Sequence, residues 1–225
     1  MKKVLAVILM FVMANMSTQN LQAQVSLRGG INIASMSANA TEKNYKDYEN
    51  QSIFGFQLAL AMPFKVSNNV AIQLELVFIQ KGGKSQNVTD DRNKLISTFT
   101  SNYIEVPVSL KLALGNTSGE GVGFYVLGGP YVGIALNGKY KNELTLLGAT
   151  STSERTVDYS NDANQEKRID WGFNLGAGLS LGKMYFEARY NLGINNLLDD
   201  NANNSNSDAP YRRNRGIGLS VGIHF

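Results

Sequence analysis

Residues 215–225 read R-G-I-G-L-S-V-G-I-H-F, an unbroken two-residue alternation. Ile217, Leu219, Val221, Ile223 and Phe225 fall on one face of a strand, with Gly218, Ser220, Gly222 and His224 on the other. A helix would scatter the same apolar residues around its circumference, so this pattern admits a strand and little else. The period recurs in the stretches 25–35, 53–62, 70–81, 102–114, 122–136, 169–181 and 184–194. In 169–181, Trp171, Phe173, Leu175, Ala177 and Leu179 oppose Asp170, Gly172, Asn174, Gly176 and Gly178. In 184–194, Met184, Phe186, Ala188, Tyr190 and Leu192 oppose Tyr185, Glu187, Arg189 and Asn191.

The links between these eight stretches alternate in length. Long polar segments at 36–52, 82–101, 137–168 and 195–209 alternate with short turns at 63–69, 115–121 and 182–183. Tight turns at one end and long loops at the other are what an even-stranded antiparallel barrel requires when it crosses a membrane. The expected fold is therefore all-β: an eight-stranded antiparallel transmembrane β-barrel, apolar face toward lipid and small or polar face toward the lumen. An even strand count puts both ends of the mature chain on the periplasmic side. Gly128-Gly129-Pro130 interrupts the fifth stretch and predicts a bulge or bend there.

Residues 1–23 read as a cleavable signal peptide, leaving 24–225 as the barrel. Lys2 and Lys3 precede the apolar run 4–14, and Leu21-Gln22-Ala23 offers a cleavage site. That run falls short of the roughly 20 residues a spanning helix needs. Cysteine is absent, which excludes disulfides, thiolate metal sites and a lipid anchor on cysteine. The formal charge of +3 comes from 21 basic and 18 acidic residues. Lys2 and Lys3 fall in the signal, so the mature chain is close to neutral, with no basic stripe for nucleic acid. The mean hydropathy of −0.17 looks soluble, yet a barrel needs only alternate strand residues to be apolar.

Parity sorts Arg28, Glu75, Glu105, Lys111, Asp170, Glu187 and Arg189 onto the inner face, with Gln57, Gln73 and Asn174. A bore of this size is just filled by side chains, so these charges predict a buried structural network. The other reading is a gated proton or solute path, for which the bore leaves little room. Closure makes the strands of Arg28, Glu187 and Arg189 near neighbours and marks these three as pairing partners. No catalytic, cofactor-binding or metal-binding residue is expected. The glycines of 172–182 lie in continuous alternation rather than opening a helix, so they form no dinucleotide loop. His224, the one histidine, has no nucleophile–base partner. Asp90-Asp91 and Asp199-Asp200 read as solvated loop charge, with weak calcium binding as the competing reading.

Six segments carry a family resemblance. These are L-R-G-G-I-N-I-A (27–34), Y-I-E-V-P-V-S-L-K-L (103–112), G-G-P-Y-V-G (128–133), D-W-G-F-N-L-G-A-G-L (170–179), E-A-R-Y-N-L-G-I-N-N (187–196) and N-R-G-I-G-L-S-V-G-I-H-F (214–225). In order and across the whole mature chain they resemble the PorT-type outer-membrane β-barrel family of the Bacteroidetes. The resemblance implies an integral protein of a Gram-negative outer membrane. Its name-giving member is associated with type IX secretion and gliding machinery. No catalytic role comes with it, because the shared residues are framework. The expected function is docking, binding or envelope structure, with outer-membrane lipid and secretion or gliding proteins as partners. The alternative is a small channel.

Overall fold

The computed structural model describes residues 25–39, 49–90, 92–114, 122–157, 159, 167–198 and 211–225. The signal segment 1–23 therefore lies outside the described residues, as do Asp91, Asp199 and Asp200. Every regular element among the described residues is a strand: β1 (Ser26–Asn39), β2 (Glu49–Gln51), β3 (Ile53–Lys65), β4 (Val70–Asp90), β5 (Asn93–Leu114), β6 (Val122–Leu146), β7 (Ala149–Val157), β8 (Ile169–Leu181), β9 (Met184–Gly193) and β10 (Tyr211–His224). All pairings are antiparallel, and the ring closes where β1 meets β10 over Ser26↔His224 to Asn39↔Tyr211. β2 extends the β3 position along β4, and β7 extends the β8 position along β6, so the wall is eight strands around.

The pairing also sets the width. Following it from Leu27 to Leu60 and Leu76, and on at constant register, leads back to Ser37 on the starting strand. That offset of about ten residues for eight strands gives a tilt near 40° and a radius of about 8 Å. Such a bore holds side chains and little else.

Burial inverts the usual order of a soluble protein. Outward residues such as Phe54 (77 % exposed), Leu175 (68 %) and Trp171 (47 %) are apolar. The buried set is largely polar and includes Arg28, Glu75, Glu105, Asp170, Glu187 and Arg189. Only a low-dielectric surrounding makes that outer face favourable, since apolar area left in water forfeits about 25 cal/mol per Å².

Two sequence expectations are corrected. The segments 82–101 and 137–168 are not simply loops: β4 runs on to Asp90, β5 starts at Asn93, β6 reaches Leu146, and β7 returns over Ala149–Val157. Beyond the lipid neither face needs apolar residues, so the alternation fades while the hydrogen-bonded ladder continues. Of the bulge or bend expected at 128–130, the bulge is absent: β5 and β6 keep one register from Tyr103↔Ala135 through Leu114↔Phe124, with the ladder interrupted between Pro107↔Tyr131 and Leu110↔Gly128. The ladder shifts instead between Asn102 and Tyr103. Gly129 answers a different need: a Cβ there would stand 2.0 Å from the Val108 carbonyl oxygen.

The two ends differ in kind. At the terminal end, β8 and β9 join through Gly182-Lys183, with Gly182 at φ 60° as a two-residue hairpin of the II′ kind requires. At the far end, Leu147 (φ 51°) and Gly148 (φ 86°) link β6 to β7 with both residues at positive φ, the I′ pattern.

Candidate functional site

The inward side chains form two charged layers. The layer nearer the termini is built on Glu75 of β4, which reaches across the bore. Its carboxylate accepts from Arg28 Nη2 at 2.6 Å, from Arg189 Nη2 at 2.9 Å and Nη1 at 3.1 Å, and from Gln73 Nε2 at 2.7 Å. Arg189 also donates to Glu187 Oε1 at 2.7 Å, and Arg28 Nε lies 3.6 Å from the same oxygen. Tyr125 OH donates to Glu187 Oε2 at 3.0 Å. The strands of Arg28, Glu187 and Arg189 are neighbours through β10, as closure implied, but the hub of the layer is Glu75.

The second layer is centred on Lys81. Its ammonium pairs with Glu105 and, at 2.9 Å, with Asp170. It sits 4.4 Å from the centre of the Tyr131 ring, a cation–π contact. Asn214 Nδ2 donates to Asp170 Oδ2 at 3.0 Å. Sequence reasoning missed Lys81 because Gly82-Gly83 looked like the end of a strand. The signal was present: 73, 75, 77, 79 and 81 share one parity, and all five are buried.

Glu105 and Asp170 are thus separated from Arg28, Glu75, Glu187 and Arg189. Lys111 belongs to neither pairing. Its ammonium lies 3.8 Å over the Tyr125 ring, and among the described residues it has no ion pair. The two layers and Lys111 together carry four cations (Arg28, Lys81, Lys111, Arg189) and four anions (Glu75, Glu105, Asp170, Glu187). Balance of this kind lets each buried charge be compensated inside a medium where an isolated ion would lose several kcal/mol of hydration.

Glycines give the aromatic part of the network its room. Tyr125 lies where a Cβ on Gly178 would be, 2.1 Å from its ring carbon, and Tyr185 occupies the same place over Gly222 at 2.2 Å. The Tyr185 ring in turn stacks on His224 with centroids 4.6 Å apart. Among the described residues no group of three His, Asp or Glu side chains converges as a metal site.

The far end presents a different chemistry. Beyond the apolar band β4, β5, β6 and β7 form a polar sheet. There Lys139 pairs with Glu154 at 2.7 Å and Lys141 with Glu143 at 3.0 Å. The hydrogen bond from Lys139 holds the Glu154 carboxyl below its ordinary range. A cleft of about 160 Å³ opens beside this sheet among Met36, Gly83, Phe99, Tyr140 and Arg212.

A closed ring of antiparallel strands with an apolar exterior and a charged, filled interior defines a membrane-spanning β-barrel. The outer membrane protein beta-barrel domain family matches residues 13–199, and the chain belongs to that family. It is therefore an outer-membrane protein of the Gram-negative type. Among solved structures it is similar to the outer membrane protein OprG of Pseudomonas aeruginosa, with 10 % identity and a TM-score of 0.49 over 92 % of this chain and 97 % of that one. Neisserial surface protein A is similar at 12 % identity and a TM-score of 0.42, over 89 % and 97 % of the two chains. Ail, the attachment invasion locus protein of Yersinia pestis, is similar at 14 % identity and 0.39, over 91 % and 100 %. No curated protein matches the sequence.

Proposed function

We propose that this barrel is a non-enzymatic docking or envelope-structural protein of the PorT-like type, with a sealed lumen. In this reading the termini face the periplasm and the far-end sheet faces outward. The observation that supports it is the filled bore: two layers of buried ion pairs and tyrosines stand across a channel about 8 Å in radius. With its interior sealed, the barrel offers a soluble macromolecular partner its two ends. The resemblance of the six segments adds a link to type IX secretion or gliding components, reached through the periplasmic turns expected at 63–69 and 115–121.

Mild cross-linking of isolated outer membrane, followed by identification of what co-purifies, tests this proposal. A stoichiometric secretion or gliding component is the expected result. A folded barrel that captures no partner refutes the docking role. A small channel is the competing reading, and planar-bilayer recording separates the two: a sealed barrel shows no steady openings.

A further inference from the structure

Two pairs of cations on the outer surface of the far end contrast with each other. On β6, Lys139 and Lys141 are neutralised by Glu154 and Glu143. On β10, Arg213 and Arg215 point outward, both exposed, and among the described residues neither makes an ion pair. They lie two residues apart on one face, about 7 Å along the strand. Arg213 lies 5.0 Å from the Tyr211 ring centre. The residues opposite them on β1 are Ser37 and Ser35, whose hydroxyls add donors to the patch.

What lies below the arginines selects the ligand. The same face of β10 continues as Ile217, Leu219, Val221 and Ile223, each 40–48 % exposed and turned to lipid. Two cations thus cap an apolar column on a single strand, at the depth where acyl chains give way to headgroups. A free anion would use the arginines and leave the column idle. A lipid with an anionic head uses both.

We infer that Arg213 and Arg215 clasp the phosphate of a phosphate-bearing membrane lipid whose acyl chains lie against Ile217 and the column beneath it. Guanidinium groups suit this task because their planar fork meets phosphate oxygens in pairs. The lipid belongs to the leaflet that meets the far end, and the β6 side of the barrel, with its lysines already paired, does not share the preference.

Native mass spectrometry of the full barrel released from maltoside micelles tests this inference, with phosphatidic acid and phosphatidylcholine as the competing lipids. Wild type is expected to retain phosphatidic acid preferentially. Arg213→Gln with Arg215→Gln should weaken that retention about thirtyfold. Lys139→Gln with Lys141→Gln should leave it unchanged, and heat-modifiable gel mobility shows that each variant is folded. Equal retention of the two lipids by wild type overturns the proposal without any variant. So does an equal loss in the β6 variant, which would mean general surface charge. Displacement of the lipid by millimolar inorganic phosphate also overturns it, since the site would then hold a soluble anion.

Discussion

Replacing Lys81 by methionine isolates one charge in the bore, because the two side chains are similar in length and apolar volume. The ammonium is 2.9 Å from Asp170 and also pairs with Glu105. At an effective dielectric of 20, each contact is a gross attraction of about 6 kcal/mol. Most of that offsets hydration lost by three buried ions. Removing only the cation leaves two carboxylates facing each other, with Tyr131 and Asn214 as the remaining donors to Asp170. The expected loss is about 3–5 kcal/mol, roughly a hundredfold to a few thousandfold in the folding equilibrium. Urea titration in lipid vesicles, read by heat-modifiable gel mobility, measures it. A midpoint and slope equal to wild type would refute the charge argument. Adding Glu105→Gln and Asp170→Asn should recover most of the loss, because a neutral set of similar shape leaves no ion uncompensated. If the triple variant were no better than the single one, the loss would come from packing against Tyr103 and Tyr131 instead.

Three further outcomes follow from the same geometry. Glu75→Ala should destabilise the barrel more than Glu187→Ala in the same titration, because the Glu75 carboxylate accepts four hydrogen bonds, from both arginines and Gln73, against two, from Arg189 and Tyr125, at Glu187. Each should lose several kcal/mol by leaving arginine uncompensated, and equal or reversed losses would contradict the hub. Gly129→Ala should abolish the heat-modifiable form, because the new methyl meets a backbone oxygen that cannot swing aside. Trp171, the one tryptophan, faces outward and should be quenched by brominated acyl chains but not by aqueous iodide. Strong iodide quenching would remove β8 from the lipid-facing wall.

The spanning part of this fold was legible in the sequence because lipid and lumen impose opposite demands on alternate residues. Trp171 and Phe173 could only face out if Asp170 and Asn174 faced in, and parity alone placed every inner charge it was applied to. It stopped being applied at Lys81, where two glycines looked like a boundary. Above the lipid the demand vanishes. The β6–β7 hairpin is polar on both faces, so its sequence reads as loop although Gly138 to Leu146 pairs residue by residue with Ala149 to Val157. The cross-lumen contact of Glu75 with Arg189 joins strands far apart in the ring, and no local pattern encodes it. Gly129 shows the limit from another side: glycine marks a close approach, but not whether the approaching group is a shifted ladder or a neighbouring carbonyl.

The seam between β1 and β10 has a consequence for assembly. It joins Ser26 to His224, the first and last strands of the wall, so its hydrogen bonds form only once nearly the whole chain is in place. Until then both strands present unpaired amides and carbonyls, which hydrocarbon cannot satisfy. Contacts of such long sequence separation also form slowly. A partly inserted intermediate therefore has two open edges, each able to pair with a second chain, and closure competes with aggregation. Such a barrel depends on being kept from the bilayer, or held at its edges, until its first and last strands can meet.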